Sequence, residues 1–258
     1  MSYLTTDAKP TLASVQRVLN ECYAATIYKL HMYDTQLVIA YTYSVYKDYY
    51  FNLGYPQVQT SDVSDVVNVF MSWVDKLNLK SKDYMHKYVK PHLTPDIVSK
   101  IATAISTLHP YTSTYFDIVR MLFEDSHNTS SSNLGEFFTP ETLAEFCAKL
   151  HYYPEDGALS VLDPTVGVGS TLRAVAVHHK CKVKLLCGID IKTHSTYLAE
   201  LSLGFSSVGS LIEVNDALTE TAKLDIGHNL VVANPPFNIK NWHTPERLAA
   251  PWFDGFTV

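Results

Sequence analysis

The residues "NPPF" at positions 234–237, which follow the apolar residues "LVVA", carry the clearest chemical signal in the sequence. A buried strand is predicted to end at Asn234, because asparagine is costly in a dry environment and two prolines cannot continue a strand ladder. Pro235 and Pro236 fix their own φ angles, and Pro236 also restricts the residue before it. The pattern therefore predicts that the Asn234 side chain and the neighbouring carbonyl groups are held in fixed directions.

Two fixed acceptors suit an exocyclic amine on a nucleobase, which is a poor nucleophile because its lone pair is delocalised into the ring. The Asn234 side-chain oxygen and the Pro235 backbone oxygen could accept both amine hydrogens and stabilise the positive charge that develops during attack on a methyl group. Phe237 could stack on a base that has left its helix. The alternative is an ordinary strand that prolines terminate, with an asparagine satisfied by its neighbours.

A glycine-rich turn in "VLDPTVGVGSTL" is predicted to join a buried strand that ends at Asp163 to a helix that begins near Ser170. Gly167 and Gly169 would let the backbone turn tightly and approach a ligand closely. A dinucleotide-binding GxGxxG pattern would have a third glycine where Leu172 stands, so a pyrophosphate ligand is not favoured. A bare GxG is also compatible with an ordinary tight turn.

Two more aspartates follow predicted strands, Asp190 in "CGID" and Asp216 in "VND". An acidic residue about 20 residues beyond the glycine turn is where a ribose hydroxyl pair is held. Asp216 would lie at the same edge of the sheet and could accept from an adenine amino group. Each aspartate alone could cap a helix, but with Asp163 they describe a pocket for a ribose and a base. S-adenosylmethionine fits a pocket of that kind.

Upstream, "GEFFTPETLAEF" is predicted to start a helix, with Thr139 at the N-cap and Pro140 at the first helical position. Free N–H groups at a helix start suit a carboxylate, such as that of the methionine part of the cofactor. Phe137 and Phe138 could line the sulfonium side. A capped helix with aromatic residues ahead of it is the alternative. Four residues are predicted to share one face of this helix: Leu143, Phe146, Cys147 and Leu150.

Alternating strands and helices position these motifs, which predicts an α/β fold with a parallel sheet and helices on its faces. The predicted strands are 159–163, 183–190, 211–216 and 229–234, and the predicted helices between them are 170–179 and 194–205.

Residues 10–123 are predicted to be helical instead, because apolar residues recur there at helical spacing. Thr94 is a predicted N-cap with Pro95 after it, and Ser61 or Asp62 could cap another helix. The polar stretch "EDSHNTSSSNLG" is predicted to be a linker. These observations predict a helical N-terminal domain, 1–130, and a catalytic domain, 131–258.

Composition narrows the class of protein further. The hydrophobic fraction of 47% is enough for a globular core, and the net charge of −6 disfavours unspecific nucleic-acid binding. A lysine-rich stretch could be a solvated helix face or a phosphate-contacting patch. Neither a membrane span, a signal peptide nor a metal site is predicted. The cysteines lack paired spacing, so reduced core thiols in a cytoplasmic protein are predicted: Cys22, Cys147, Cys181 and Cys187.

The segments "GEFFTP", "DPTVGVGSTL", "GID", "NDAL" and "NPPFNIKNW" resemble, in this order, the motifs of adenine-N6 DNA methyltransferases, especially the modification subunit of type I restriction–modification enzymes. The resemblance implies a Rossmann-like S-adenosylmethionine-dependent domain. It implies that Asn234, Pro235, Pro236 and Phe237 hold a flipped adenine. It also implies cofactor binding by Glu136, Phe137, Phe138, Thr139, Pro140, Asp163, Thr165, Gly167, Gly169, Ser170, Asp190 and Asp216.

In that family a separate specificity subunit reads the DNA sequence and a restriction subunit cleaves, so both are expected partners besides DNA. The family's sheet has seven strands, whereas four are predicted here, which implies a partial catalytic domain that ends soon after "NPPF". Weak or no methyltransferase activity is therefore expected for the chain alone. The alternatives are a non-catalytic remnant that binds the cofactor or a partner subunit, and an N-methyltransferase acting on RNA or protein.

Overall fold

A computed structural model describes ten segments of the chain, with the backbone alone for 47–50: 10–50, 65–108, 117–119, 121–122, 139–150, 158–179, 182–204, 208–219, 227–237 and 244–245. The chain divides into two compact units, residues 1–129 and residues 130–258. The predicted linker, residues 124–135, lies outside the described residues.

The first unit is helical, as predicted. Its described α-helices are α1 (Leu12–Thr26), α2 (Met32–Tyr50), α3 (Val66–Leu77), α4 (Ser81–Tyr84) and α5 (Pro95–Ser106). Between α4 and α5 the chain continues as a π-helical turn, Met85–Val89, and a 3₁₀ turn, Lys90–His92.

Side-chain caps define the starts of two of these helices. The Thr11 hydroxyl oxygen accepts from the Ser14 amide at 3.2 Å, and the Thr94 hydroxyl oxygen accepts from the Ile97 amide at 3.3 Å. The predicted N-cap at Thr94 is therefore confirmed. Helix α3 begins at Val66 and follows Asp65, which makes no side-chain cap bond. The predicted caps Ser61 and Asp62 lie outside the described residues.

Helix α5 is central to this unit, because α1, α2 and α3 all pack against it. Ile97, Ile101 and Ile105 recur one turn apart and are fully buried. Buried polar residues also lie within this unit, and Gln36 is one of them. The buried Gln36 side chain donates from Nε2 to the Leu122 carbonyl at 2.6 Å, which satisfies an amide that would otherwise be costly to bury.

The second unit contains a four-stranded parallel sheet in the order β3-β2-β1-β4. Its elements in chain order are α6 (Glu141–Leu150), β1 (Leu159–Asp163), α7 (Ser170–His178), β2 (Val183–Asp190), α8 (Thr193–Leu203), β3 (Gly209–Val214) and β4 (Leu230–Val231). The predicted α/β class and the four parallel strands are confirmed. A shared core of aliphatic residues from the sheet and from α7 and α8 includes Val161, Leu172, Leu186 and Leu203.

Two strands end earlier than predicted. Strand β3 stops at Val214 because Asn215 and Asp216 form a turn, in which the Asp216 carboxylate accepts from the Leu218 amide at 3.0 Å. Strand β4 stops at Val231, beside the end of its partner β1 at Asp163. Asn234 is thus not the last residue of a strand but the third residue after one.

Helix α6 packs through small residues. Ala144 and Ala148 are each 1% exposed, while the predicted apolar face, with Leu143, Phe146, Cys147 and Leu150, is exposed. The prediction that these four residues share a face holds, but Ala144 and Ala148 occupy the face that contacts the rest of the unit. Close contact between α6 and α7 explains this, because alanine lets two helices approach.

The prediction that the cysteines are core thiols is wrong for Cys147, which is exposed. Cys22 and Cys187 are buried free thiols, and burial raises the pKa of Cys22 to about 12, with a smaller effect of the neighbouring Glu21. Cys181 lies outside the described residues. Within the described segments, no helix combines the length and the apolar character that crossing a membrane requires.

Candidate active site

The strand order places a crevice beside β1. The chain runs from β1 outward through β2 to β3 and then returns to pair β4 with the other side of β1. Loops that follow β1 and β4 therefore leave the same edge of the sheet in different directions, and ligands bind at such switch points in open α/β sheets. The glycine turn follows β1 and "NPPF" follows β4, so the topology brings both motifs to this edge.

Asp163 lies beneath the glycine turn rather than at its surface. The residue is 1% exposed, and one carboxylate oxygen accepts from the Thr165 amide at 2.9 Å and from the Thr165 hydroxyl at 3.4 Å. The other oxygen accepts from the Thr171 hydroxyl. Burial raises the pKa of Asp163 to about 6, since the hydrogen bonds offset only part of the lost solvation and the charge of Asp190 adds to the increase. Asp163 thus holds the shape of the turn.

The turn also rests directly on β2. The Val166 amide donates to the Ile189 carbonyl at 2.8 Å. A Cβ on Gly188 would lie 2.7 Å from Val166 Cγ2 and 2.9 Å from Ile212 Cδ1, so this position in β2 has no room for a side chain. Gly188, Val166 and Thr171 were not among the predicted site residues. A single glycine inside a strand is nevertheless a known signal of close approach.

The two glycines of the turn, Gly167 and Gly169, have different surroundings. Both have positive φ angles, 52° at Gly167 and 85° at Gly169. A Cβ on Gly169 would make ordinary contacts of 3.4 Å with Leu203 and 3.5 Å with Ala199, so the positive φ angle, not a lack of space, favours glycine there. A Cβ on Gly167 would meet nothing within 4 Å, which means that open space lies above the turn at this residue. Ser170 begins α7 and is half-buried.

Asp190 connects the end of β2 to the turn. Its Oδ2 accepts from the Gly167 amide and its Oδ1 accepts from the Lys192 amide, both at 2.9 Å. Each carboxylate oxygen has two lone pairs, so these bonds are compatible with a further hydroxyl donor. Asp216 lies two residues beyond β3 and is half-buried, and its carboxylate accepts from the Leu218 amide. Asp163 and Asp190 are thus the last residues of β1 and β2, and Asp216 lies two residues beyond β3, so all three lie at the carboxyl ends of strands.

The side chain of Asn234 contacts a residue far away in sequence. Its Nδ2 donates to the Thr139 hydroxyl oxygen at 3.0 Å, across a sequence separation of 95 residues. Pro235 is exposed, Pro236 is half-buried and the Phe237 side chain is 56% exposed. The structure thus brings together the acceptor residue of "NPPF" and the last part of the predicted cofactor segment "FFTP".

Helix α6 begins one residue later than predicted. The amides of Leu143 and Ala144 donate to the Pro140 carbonyl at 3.0 and 2.9 Å, so Pro140, not Thr139, precedes the first helical residue. Proline has no N–H and no side-chain acceptor, so the cap that was predicted for Thr139 is absent. Pro140 is exposed. Glu136, Phe137 and Phe138 lie outside the described residues.

The first turn of α6 is attached to α7 by charge. Arg173 Nη1 donates to Glu141 Oε1 at 3.0 Å. Among the described residues, no group of three or more His, Cys, Asp or Glu side chains is placed to hold a metal ion. The arrangement offers an open space above Gly167, carboxylates at or just beyond the strand ends, and a held primary amide whose oxygen can accept a hydrogen bond.

Comparisons with known proteins agree with this reading of the motifs. A family model described as N-6 DNA Methylase matches residues 114–257, which is more than half of the chain. A comparison with curated proteins gives no match.

Two solved structures share the fold. One is a modification subunit of a putative type I restriction enzyme from Vibrio vulnificus YJ016, with 13% identity, a TM-score of 0.60, and coverage of 90% of this chain and 62% of that chain. The other is a type I restriction-modification system methyltransferase subunit from Streptococcus thermophilus, with 14% identity, a TM-score of 0.61, and coverage of 95% and 68%. This chain thus spans less than two thirds of the Vibrio subunit.

The fold and the family predicted from the motifs are confirmed by these matches. The roles of the individual site residues stay predictions. The chain belongs to the N-6 DNA methylase family.

Proposed function

We propose that the chain is an S-adenosylmethionine-dependent DNA methyltransferase subunit that transfers a methyl group to the N6 amine of an adenine rotated out of the duplex. The observation that carries the proposal is the held amide of Asn234 at the edge of the sheet where the glycine turn also lies. An amide oxygen in a fixed position can accept a hydrogen bond from an amine.

The residues around the glycine turn fit the cofactor. Gly167 leaves open space on the turn, and Asp190, at the end of β2, would accept from the ribose hydroxyls. Asp216 would accept from the adenine amino group, and Thr165 and Ser170 line the same turn. When bound, S-adenosylmethionine supplies a methyl group on a positively charged sulfur atom. An amine that attacks the methyl carbon can displace this sulfur atom.

The acceptors at "NPPF" would act on the target base. Asn234 Oδ1 and the Pro235 carbonyl would accept the two amine hydrogens, which localises the lone pair on nitrogen and stabilises the positive charge that develops there. Pro235 and Pro236 keep the backbone from moving as this charge appears. Phe237, which is 56% exposed, would stack on the rotated base.

DNA, a specificity subunit and a restriction subunit are the proposed partners. The motif order supports this assignment, as does the fold shared with two subunits of type I systems. The net charge of −6 also favours a chain that does not hold DNA by itself, because phosphate binding requires an excess of Lys and Arg.

Calorimetric titration with S-adenosylmethionine tests the cofactor assignment. Gly167→Ala should weaken binding about tenfold or more, because the added Cβ enters the proposed site and about 1–2 kcal/mol of left-handed backbone strain accompanies it. Gly227→Ala is the matched control. Gly227 has a φ of 57° and equally open surroundings but lies before β4, at the opposite edge of the sheet. Gly227→Ala should lose as much stability as Gly167→Ala but should bind S-adenosylmethionine like the unmodified chain.

Transfer of a labelled methyl group tests the catalytic assignment. The chain is used in excess over unmethylated DNA, so that even one slow turnover is detected. Asn234→Ala should lower the rate by about 10²–10³, as for the loss of one preorganised group, with unchanged cofactor binding. Absence of cofactor binding to the unmodified chain contradicts the proposal. Binding followed by transfer to RNA or protein but not to DNA would assign a different substrate.

A further inference from the structure

We propose that Thr139 is a positioning residue, whose hydroxyl group holds the Asn234 amide in the orientation that presents Oδ1 to the target amine. The proposal rests on the proposed function and deepens it. Its basis is the contact of 3.0 Å between Asn234 Nδ2 and Thr139 Oγ1. The resemblance implied that Thr139 binds the cofactor, and the helix cap that was separately predicted for Thr139 is not formed.

The backbone alone does not fix the Asn234 side chain. The last ladder bond beside β4 runs from the Val232 amide to the Leu162 carbonyl at 2.9 Å, two residues before Asn234. Pro236 and Pro235 restrict φ and ψ angles, but they leave the χ1 and χ2 angles of Asn234 free to rotate. A side-chain partner is therefore needed to fix the amide, and Thr139 is the partner that the structure places there.

The direction of the hydrogen bond matters for the chemistry. A primary amide has a donor end and an acceptor end, and an amine that must donate can use only the acceptor end. When Nδ2 donates to Thr139, Oδ1 lies on the other side of the amide carbon, away from Thr139. The target amine and Thr139 then each bind the end of the amide that suits them, and neither competes with the other.

Thr139 is itself anchored to the rest of the unit. Pro140 follows it with a fixed φ angle, and the Pro140 carbonyl accepts the first hydrogen bonds of α6. Glu141 then accepts from Arg173, whose side chain is 11% exposed and lies on α7 next to the sheet core. A connected series of contacts thus runs from α7 through the start of α6 to Asn234.

The test compares three variants of the full chain. Thr139→Val removes the hydroxyl at nearly constant shape and Thr139→Ser retains it. Thr142→Val is the matched control, at an exposed position of the adjoining helix α6. Under single-turnover conditions Thr139→Val should slow methyl transfer about ten- to a hundredfold, as expected for a displaced reacting group. Its dissociation constant for S-adenosylmethionine should stay within about twofold. Thr139→Ser should restore the rate, and Thr142→Val should behave like the unmodified chain.

Two outcomes overturn the proposal. One is an unchanged rate for Thr139→Val. The other is weaker cofactor binding with a normal rate at saturation, which would make Thr139 a cofactor-binding residue. If the unmodified chain alone transfers no methyl group, which is the result expected of a partial catalytic domain, cofactor binding decides the proposed function and a second measurement decides the role of Thr139.

That measurement is the NMR signal of the Asn234 side-chain amide in protein with ¹⁵N-labelled asparagine, assigned by its loss in Asn234→Ala. Thr139→Val should shift the Nδ2 hydrogens and speed their exchange with water, while Thr139→Ser should leave them near the original positions. An Asn234 signal that Thr139→Val does not change rejects the proposal independently of any activity.

Discussion

Arg173 on α7 donates to Glu141 at the start of α6 across 3.0 Å, although the two residues are 32 positions apart. The arginine side chain is 11% exposed and the glutamate side chain 42% exposed, so the ion pair lies at the boundary between the core and solvent. This placement ties the segment that carries Thr139 to a helix that packs on the sheet, and the pair should therefore contribute measurably to stability.

Replacement of the glutamate tests this contribution. Glu141→Gln should lower the free energy of unfolding by about 1 kcal/mol, because a charge-assisted hydrogen bond of a partly buried arginine becomes a neutral one. Glu145→Gln is the control on the same helix. Its partner Lys149 is 3.6 Å away and the lysine side chain is 58% exposed, so its loss should cost less than about 0.5 kcal/mol. Equal effects of the two variants in urea unfolding would contradict this difference.

Gly188 supports the glycine turn from below. Gly188→Ala should lower the free energy of unfolding by about 1–3 kcal/mol, because the added Cβ overlaps Val166 and Ile212 and neither branched side chain can move far in a packed core. Displacement of Val166 should also weaken cofactor binding.

Gly209→Ala provides the comparison for Gly188→Ala. A Cβ on Gly209, in the neighbouring strand β3, would make an ordinary contact of 3.6 Å with the Lys184 carbonyl. Its stability should therefore match that of the unmodified chain within about 0.5 kcal/mol. Denaturant unfolding and calorimetry measure both effects, and wild-type cofactor binding by Gly188→Ala would show that the turn does not depend on this contact.

Burial of Asp163 makes the stability of the chain depend on pH. The pKa of Asp163 is raised to about 6 in the folded chain from an ordinary 3.8, so the folded state binds more protons than the unfolded state between these values. The contribution of Asp163 to the free energy of unfolding should therefore fall as pH rises from 4 to 6, by up to about 3 kcal/mol.

Asp163→Asn measures this effect by difference, since asparagine keeps the shape but never ionises. The stability of the variant relative to the unmodified chain should increase from pH 4 to pH 8. Asp96→Asn should show no such increase, because hydrogen bonding to Lys100 lowers the pKa of the exposed Asp96 from 3.8, so that its contribution changes only below about pH 4. A constant difference between Asp163→Asn and the unmodified chain across this range would mean that Asp163 does not titrate as described.

The sequence was most informative where structure depends on neighbouring residues. Strands β1 and β2 end at Asp163 and Asp190 as predicted, because a short apolar run followed by a polar residue determines such an end. Thr94 caps its helix for the same local reason. Strand β3 ended early because Asn215 and Asp216 both bond within a turn, and two polar residues after an apolar run are compatible with strand or turn.

Features that depend on distant contacts could not be predicted. The bond between Thr139 and Asn234 joins residues 95 positions apart, and nothing near either residue indicates it. The exposed apolar side of α6 was unexpected as well, because helical spacing defines a face without showing which face is covered. Ala144 and Ala148 form the contact with α7 instead, because their small side chains let the two helices pack closely.

The position of β4 in the sheet has a consequence for the order in which the chain folds. Strand β2 follows β1 closely along the chain, so these two strands can pair early. Strand β4, the other neighbour of β1, comes much later in the sequence, since the contact between Ser160 and Asn229 spans 69 residues. Closure of so long a loop is slow, because its entropy must be lost before the contact forms. β4 is therefore expected to dock after β1, β2 and β3 have paired, and the contact between Asn234 and Thr139 should form late among the described contacts.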